Sequence, residues 1–363
     1  MQIDAAVLRD ATGAYTIERV ELAAPAPDEV LVRIVGAGMC HTDVLPRVSP
    51  IAAPPIVTGH EGAGVVEAVG AAVTTVAVGD HVVLSFDSCG TCVPCTTGQP
   101  AYCDTFFLRN LTGRHLDGSS GITDAQGQPI ASRWFGQSSF ATHCLATERN
   151  VVVVDPSLPL ELMGPLGCGI QTGAGSVLEA LRVQPGTSLV VFGAGAVGLA
   201  AVMAGVVAGA TTIIAVDLQP HRRDLALELG ATHALDGHDP NVVAAIQGIT
   251  GGGAHYSFDT TGVPMVMKSA LTCLRMTGAC VYVGVQQGDL VLDGMALIGK
   301  TVTGVLEGSA DPKTFIPHMI QLWQDGRFPF NRLIEQYPMS RINEAEQSSL
   351  GGGTIKPVLI PGS

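Results

Sequence analysis

The sequence predicts an α/β protein of two domains, and three observations carry that prediction. Short β-branched runs punctuated by glycine and proline fill roughly the first hundred residues, the pattern of a mainly β domain. From about residue 170 the pattern becomes strand, helix, strand, which marks a parallel sheet with crossover helices. At the first of those strand–helix junctions lies VVFGAGAVG, a glycine-rich turn in G-x-G-x-x-G spacing.

Composition sets the frame. The 363 residues suffice for two cores, and with 47% apolar against 14% charged residues the chain buries much of itself. The 45 glycines show no collagen-like period and read as tight turns. A formal net charge of −13 argues against nucleic-acid binding, which needs basic surface. MQIDAAVLRD lacks a basic region followed by an apolar run, so no secretion signal and a cytoplasmic location are expected. Thiols there stay reduced, and clustered cysteines point to metal before disulfides. Residues 187–216 carry no charge, but five glycines interrupt them; a buried strand, helix and strand fit better than a membrane span.

In chain order, VLVRIVGAG, PIVTGHEGAGVVEAVG and GDHVVLSF read as strands and turns, and the polar, glycine-rich residues 104–133 as loop. SLVVFGAG, AVGLAAVMAGVVAG and TTIIAVD read as strand, helix and strand. RRDLALELG and PMVMKSALTCL follow as helices, YSFDTTG and ACVYVGV as strands. TFIPHMIQLWQDGRF opens an amphipathic helix, and TIKPVLI a last strand.

Gly193, Gly195 and Gly198 suit a dinucleotide: a tight turn, backbone room for a pyrophosphate, and close helix–strand packing. The helix N-terminus then offers N–H groups to the phosphates. Asp217 ends the next strand, where a carboxylate accepts from a ribose hydroxyl and repels a 2′-phosphate, so NAD is expected. Arg222 and Arg223 lie close by and keep a 2′-phosphate open.

Cys89, Cys92, Cys95 and Cys103 are spaced C-x2-C-x2-C-x7-C, which can close a tetrahedral zinc site with no open position. A ferredoxin run ends in a shorter gap and a proline, absent here. The quartet reads as a structural clamp on a long loop. Cys40 in GMCHTD, His60 and Glu61 in TGHEGAG and Cys168 in GPLGCGIQTGAG offer a Cys2His set with an open fourth position. Singly, each has a plain reading as an ordinary core residue, as do Cys144, Cys273 and Cys280.

Together, GMCHTDV, GHEGAGVVEAVG, the four-cysteine run, GCGIQTGAG, GAGAVG and VDLQ resemble the zinc-dependent medium-chain alcohol dehydrogenases over essentially the whole chain. PLGCGIQTGAGSVLEAL and WFGQSSFATHCLATERNVVVV are most similar to the aryl (benzyl-type) enzymes and the related geraniol dehydrogenases. The resemblance implies a GroES-like β-rich catalytic domain, residues 1–169 and 306–363, with a Rossmann domain, 170–305, inserted. It implies two zinc ions, one structural and one catalytic on Cys40, His60 and Cys168, with Glu61 approaching transiently and Asp43 orienting His60. Thr42 matches the hydroxyl that takes the substrate proton. Cofactor contacts carry over to Thr172, Gly193, Gly195, Ala196, Val197, Gly198, Asp217, Arg222, Val285 and Lys356, and pocket positions to Trp134 and Phe135. Leu45 departs from the liver-type pattern, in which a histidine there carries the proton onward. The implied reaction is reversible oxidation of a bulky primary alcohol by NAD, with zinc as Lewis acid, in a homo-oligomer, a tetramer rather than a dimer. Two rivals stand beside it. One is a glutathione-dependent formaldehyde dehydrogenase, for which Arg109, Arg114 and Arg133 offer basic residues. The other is a non-catalytic, zinc-stabilised NAD-binding protein.

Overall fold

The run VLVRIVGAG forms the strand Glu29–Gly38, and its pairings organise everything that later meets at the site. In the computed structural model, which describes residues 1–48 and 50–362, the chain divides into two units. The first comprises Met1–Cys168, Asp311–Pro317 and Asn331–Ser363; the second, Gly169–Ala310 and His318–Phe330.

The first unit holds a five-stranded and a seven-stranded sheet. In the larger, Glu29–Gly38 pairs antiparallel with Glu61–Val69, with His143–Thr147 and with the last strand, Lys356–Ile360. The register sets Gly38 opposite both Glu61 and Val358. Three distant segments are thereby brought side by side: the one leading into Cys40, the one following His60, and the one opening at Lys356. Val30, Val32, Val82, Val83 and Val358 are fully buried there, each contributing roughly 1.5–3 kcal/mol. The expected loop 104–133 is partly ordered instead. It contains a helix, Phe106–Asn110, and two short strands, Ile122–Thr123 and Pro129–Ile130. The Asn110 side chain fixes the helix by donating to the carbonyls of Asp87 and Phe106 while accepting from the Asp87 N–H.

The second unit is a six-stranded sheet in which every adjacent pair is parallel. Across it run His233–Asp236, Thr212–Asp217, Ser188–Phe192, Ala254–Asp259, Leu274–Tyr282 and Thr301–Gly304. In chain order that is 3-2-1-4-5-6, the doubly wound arrangement whose strand order reverses beside Ser188–Phe192. The charge-free stretch is the strand Ser188–Phe192, the helix Ala196–Val207 and the strand Thr212–Asp217, nearly all buried. Among the described residues no helix is long and apolar enough to cross a membrane.

Candidate active site and metal centres

Cys40, His60 and Cys168 come together in the first unit, with their ligand atoms within 4.8 Å of one another. Cys40 ends the turn after Glu29–Gly38, His60 immediately precedes Glu61–Val69, and Cys168 ends the tight turn Gly164–Gly167. Ser85 Oγ donates to the Gly167 carbonyl at 2.6 Å and anchors that turn to the sheet.

Asp43 organises the group. Its Oδ1 accepts from His60 Nδ1 at 2.8 Å and from the Gly59 N–H at 2.9 Å, and its Oδ2 accepts from the Cys40 N–H at 3.0 Å. With Nδ1 donating, the lone pair of His60 lies on Nε2, which is buried and finds no hydrogen-bond partner among the described residues. A buried nitrogen without a partner is costly, and a metal ion resolves that cost. Burial works against charge on His60, but Asp43 and Cys40 together outweigh it and raise its basicity. The Cys40 thiol is held well below the usual thiol range, first by the hydrogen bond from Cys168, with His60 and Lys356 adding to it against burial. One oriented imidazole and two thiols, one acidified, are the donor set that holds zinc with a position open.

Glu61 lies beside the ligands, fully buried, and accepts from Lys356 Nζ through both oxygens, at 2.8 and 2.9 Å. The third Lys356 donor reaches the Met39 carbonyl at 3.0 Å. Burial raises the Glu61 pKa, and the lysine opposes it. All three donors of Lys356 are thus engaged within the catalytic unit. In this arrangement Lys356 is the counter-charge of Glu61.

The remaining expected residues divide. Thr42 Oγ1 stands 3.8 Å from Cys40 Sγ, a hydroxyl next to the metal ligands. Trp134 is buried and borders an apolar cavity of about 50 Å³ with Leu45, Ile51, Ala52 and Leu111. Phe135 is not part of that wall; its ring stacks on His60, with centroids 4.4 Å apart and planes 24° apart. Gln137 was not singled out by the sequence. Its side chain donates to the His60 carbonyl at 2.9 Å and accepts from the Gly62 N–H at 3.0 Å, bracing the histidine from behind. A lone glutamine after WFG carries no pattern that would have revealed it.

Cys89, Cys92, Cys95 and Cys103 also gather within 4.8 Å. Backbone N–H groups point at the sulfurs: Cys92 and Thr91 toward Cys89 Sγ at 3.2 and 3.4 Å, Cys89 toward Cys103 Sγ at 3.2 Å. Hydrogen bonds from the Thr91 side chain and backbone bring the Cys89 thiol down to about 5. Burial pushes Cys95 up to about 12, and a bound cation would favour its thiolate beside the other three. Tetrahedral zinc fits this set. Cys144, Cys273 and Cys280 are buried among apolar neighbours, as core cysteines are.

In the second unit the three fingerprint glycines meet three demands. Gly193 turns with φ of 90°, a Cβ on Gly195 would face open space, and one on Gly198 would collide with the Gly193 carbonyl. The open space lies at the N-terminus of Ala196–Val207, where a pyrophosphate fits. Asp217 Oδ2 accepts from the Ala194 N–H at 2.6 Å, fixing the carboxylate at the end of its strand. Arg222 Nε is buried without a partner among the described residues, whereas Arg223 donates to the Asp217 and Leu218 carbonyls. Thr172 is buried on the helix Gly169–Gly175, and Val285 is 52% exposed.

Comparison with known proteins agrees with this construction. Residues 26–156 match the alcohol dehydrogenase GroES-like domain, and residues 196–324 match the zinc-binding dehydrogenase family. A geraniol dehydrogenase from Castellaniella defragrans is 48% identical over 362 residues, 98% of this chain and 97% of that protein. The crystal structure of a benzyl alcohol dehydrogenase from Acinetobacter calcoaceticus superposes with a TM-score of 0.96 at 44% identity, over 99% of each chain. That of an alcohol dehydrogenase zinc-binding domain protein from Burkholderia ambifaria gives 0.96 at 49%, again over 99% of each. With a GroES-like unit carrying two thiol-rich metal centres and a doubly wound unit beginning at a glycine fingerprint, the chain belongs to the zinc-dependent medium-chain alcohol dehydrogenases.

Proposed function

We propose that the chain reversibly oxidises a bulky, apolar primary alcohol, aryl or allylic, to its aldehyde with NAD. One zinc is held by Cys40, His60 and Cys168 and a second by Cys89, Cys92, Cys95 and Cys103. The observation that carries the reading is the partnerless Nε2 of His60, set by Asp43 and within 4.8 Å of two thiols.

When bound, the catalytic zinc supplies Lewis acidity toward the alcohol oxygen. Thr42 receives the proton the alcohol loses. Leu45 has no group to pass it on, so the onward acceptor would be the cofactor ribose, water or another base. Leu45 instead joins Trp134 and Leu111 in lining a small apolar cavity, and the bulky substrate class is supported by the likeness to a geraniol dehydrogenase and a benzyl alcohol dehydrogenase. Asp217 holds the ribose hydroxyls and repels a 2′-phosphate, and the backbone beside Val285 holds the nicotinamide carboxamide. Thr172 and the turn Gly193–Gly198 complete the cofactor site, together with Arg222, whose buried Nε awaits a partner.

The glutathione reading loses support from the arginines it needs. Arg133 donates to Glu29 at 2.9 Å and Arg109 to Asp87 at 3.0 Å, so two of the three are matched by carboxylates of the chain itself. We also propose a cytoplasmic homo-oligomer, a tetramer by family likeness. Among the described residues the strand Thr301–Gly304 pairs on one side only, and Met276, Met295 and Ile298 are exposed near it.

The test is NADH formation from benzyl alcohol, geraniol and ethanol in parallel, with and without glutathione plus formaldehyde. A much higher rate on the two bulky alcohols is expected. Activity only with glutathione and formaldehyde overturns the substrate class, and no activity on any of them despite two bound zinc ions overturns the enzyme.

A further inference from the structure

Phe135 adopts φ 50° and ψ 37°, the left-handed region that a bulky side chain rarely occupies. Such a conformation persists only where the surroundings over-determine it. They do so here. Asn150 Nδ2 donates to the carbonyls of Phe135 and Gly136 at 3.4 and 3.3 Å. Gly136 follows at φ 69°, where an added Cβ would lie 2.8 Å from the Asp87 Cβ. The strained turn places the ring on the face of His60, with centroids 4.4 Å apart.

The same ring meets Phe106 edge-on, with centroids 6.3 Å apart and planes at 85°. Phe106 follows directly from the four-cysteine loop, donating its N–H to the Cys103 carbonyl at 2.8 Å. Phe86, which leads into that loop, packs against Phe106 at 5.6 Å, and Asp87 and Asn110 tie the two ends of the loop together. An unbroken line of contacts therefore runs from Cys103 through Phe106 and Phe135 to His60.

We propose that Phe135 is a positioning residue for His60, braced by Phe106, so that the four-cysteine loop supports the catalytic metal ligand through two aromatic rings. The physical reason lies in what the Asp43 hydrogen bond leaves undone. A single bond at Nδ1 fixes the tautomer but allows the imidazole to swing about the Nδ1···Oδ1 axis, carrying Nε2 off the ligand position. A ring stacked on the imidazole face opposes that swing. Phe135 is buried, and its ring meets those of His60, Phe106 and Trp134, so it is packed on the ligand histidine from the protein side.

This inference rests on the proposed zinc site, and the test separates the two. Zinc release to a chromogenic chelator is followed for the wild type and for Phe135→Leu, Phe135→Tyr and Phe106→Leu, with thermal melts alongside. Cobalt is then placed in the Cys2His site and its visible bands are recorded. Phe135→Leu is expected to speed loss of the catalytic ion about tenfold and shift the cobalt bands, while the four-cysteine ion leaves at its usual rate. Phe135→Tyr keeps the ring and stays near the wild type; Phe106→Leu falls between and supports the inference even if Phe135→Leu does not fold. Unchanged release and spectra in both leucine variants, or a change confined to KM for the bulky alcohol, overturn it. A wild type that binds only one zinc overturns the underlying two-site reading instead.

Discussion

Lys356 and Glu61, 295 residues apart in the chain, form a buried ion pair in which one ammonium donates to both carboxylate oxygens. The strand register creates the pair, since Gly38 lies opposite both Glu61 and Val358. Two charges at 2% and 0% side-chain exposure are held next to the residues proposed to bind the catalytic metal.

Breaking that pair from one side leaves an uncompensated buried charge. Lys356→Met in the zinc-loaded protein is expected to lose about 3–5 kcal/mol of stability. The double variant Glu61→Leu/Lys356→Met removes both charges and regains most of it. Urea unfolding of the four proteins gives the coupling directly. Costs that simply add would mean that each charge is compensated by something other than its partner.

The two cysteine groups should fail in different ways. Cys92→Ser removes a ligand from a loop whose order depends on its metal, so folding or assembly is lost. Cys40→Ser leaves the sheet intact and lowers kcat/KM by more than the roughly hundredfold that losing a mere supporting residue costs. Circular dichroism and steady-state rates on the purified variants distinguish the outcomes. Equal loss of fold from both would remove the division between clamp and catalytic centre.

Asp217 is expected to set the choice of cofactor. Asp217→Asn keeps an oxygen for the Ala194 N–H while removing the charge that repels a 2′-phosphate. The ratio of kcat/KM with NAD to that with NADP should fall about tenfold, the equivalent of roughly 1.4 kcal/mol. A ratio that does not move would shift the discrimination to another group, with Arg222 the first to examine.

What the sequence revealed follows from the range over which each feature is specified. Gly193, Gly195 and Gly198 lie within six residues and each answers a local demand, so the turn, the helix and the parallel strands around it were legible. The two cysteine groups were legible because metal chemistry restricts both ligand type and spacing. The partner of Lys356 was not, because strand register decides it across nearly the whole chain. Phe106–Asn110 was hidden for a different reason. A five-residue helix has no propensity of its own, and Asn110 holds it through contacts with Asp87. The turn of Phe135 reads as two core aromatics in sequence, since its unusual φ is imposed by Asn150 and Asp87.

Acid should weaken the fold through Glu148, which is not one of the proposed metal ligands. Burial alone would raise this carboxyl, but hydrogen bonds from Thr75 and Thr74 to its Oε1 bring it down to about 2 from an ordinary 4.5. A folded-state pKa below the unfolded one means that the unfolded chain binds the proton first. The stabilisation is therefore complete above about pH 4.5 and lost progressively as the pH falls toward 2. Glu148→Gln keeps an acceptor and abolishes the titration. Wild type should exceed the variant in stability by a constant margin near neutrality, and the margin should narrow below pH 4.5. Urea midpoints between pH 7 and pH 3.5 measure it. A margin that is flat or widens on acidification would mean that the Thr74 and Thr75 contacts do not depend on the carboxylate charge.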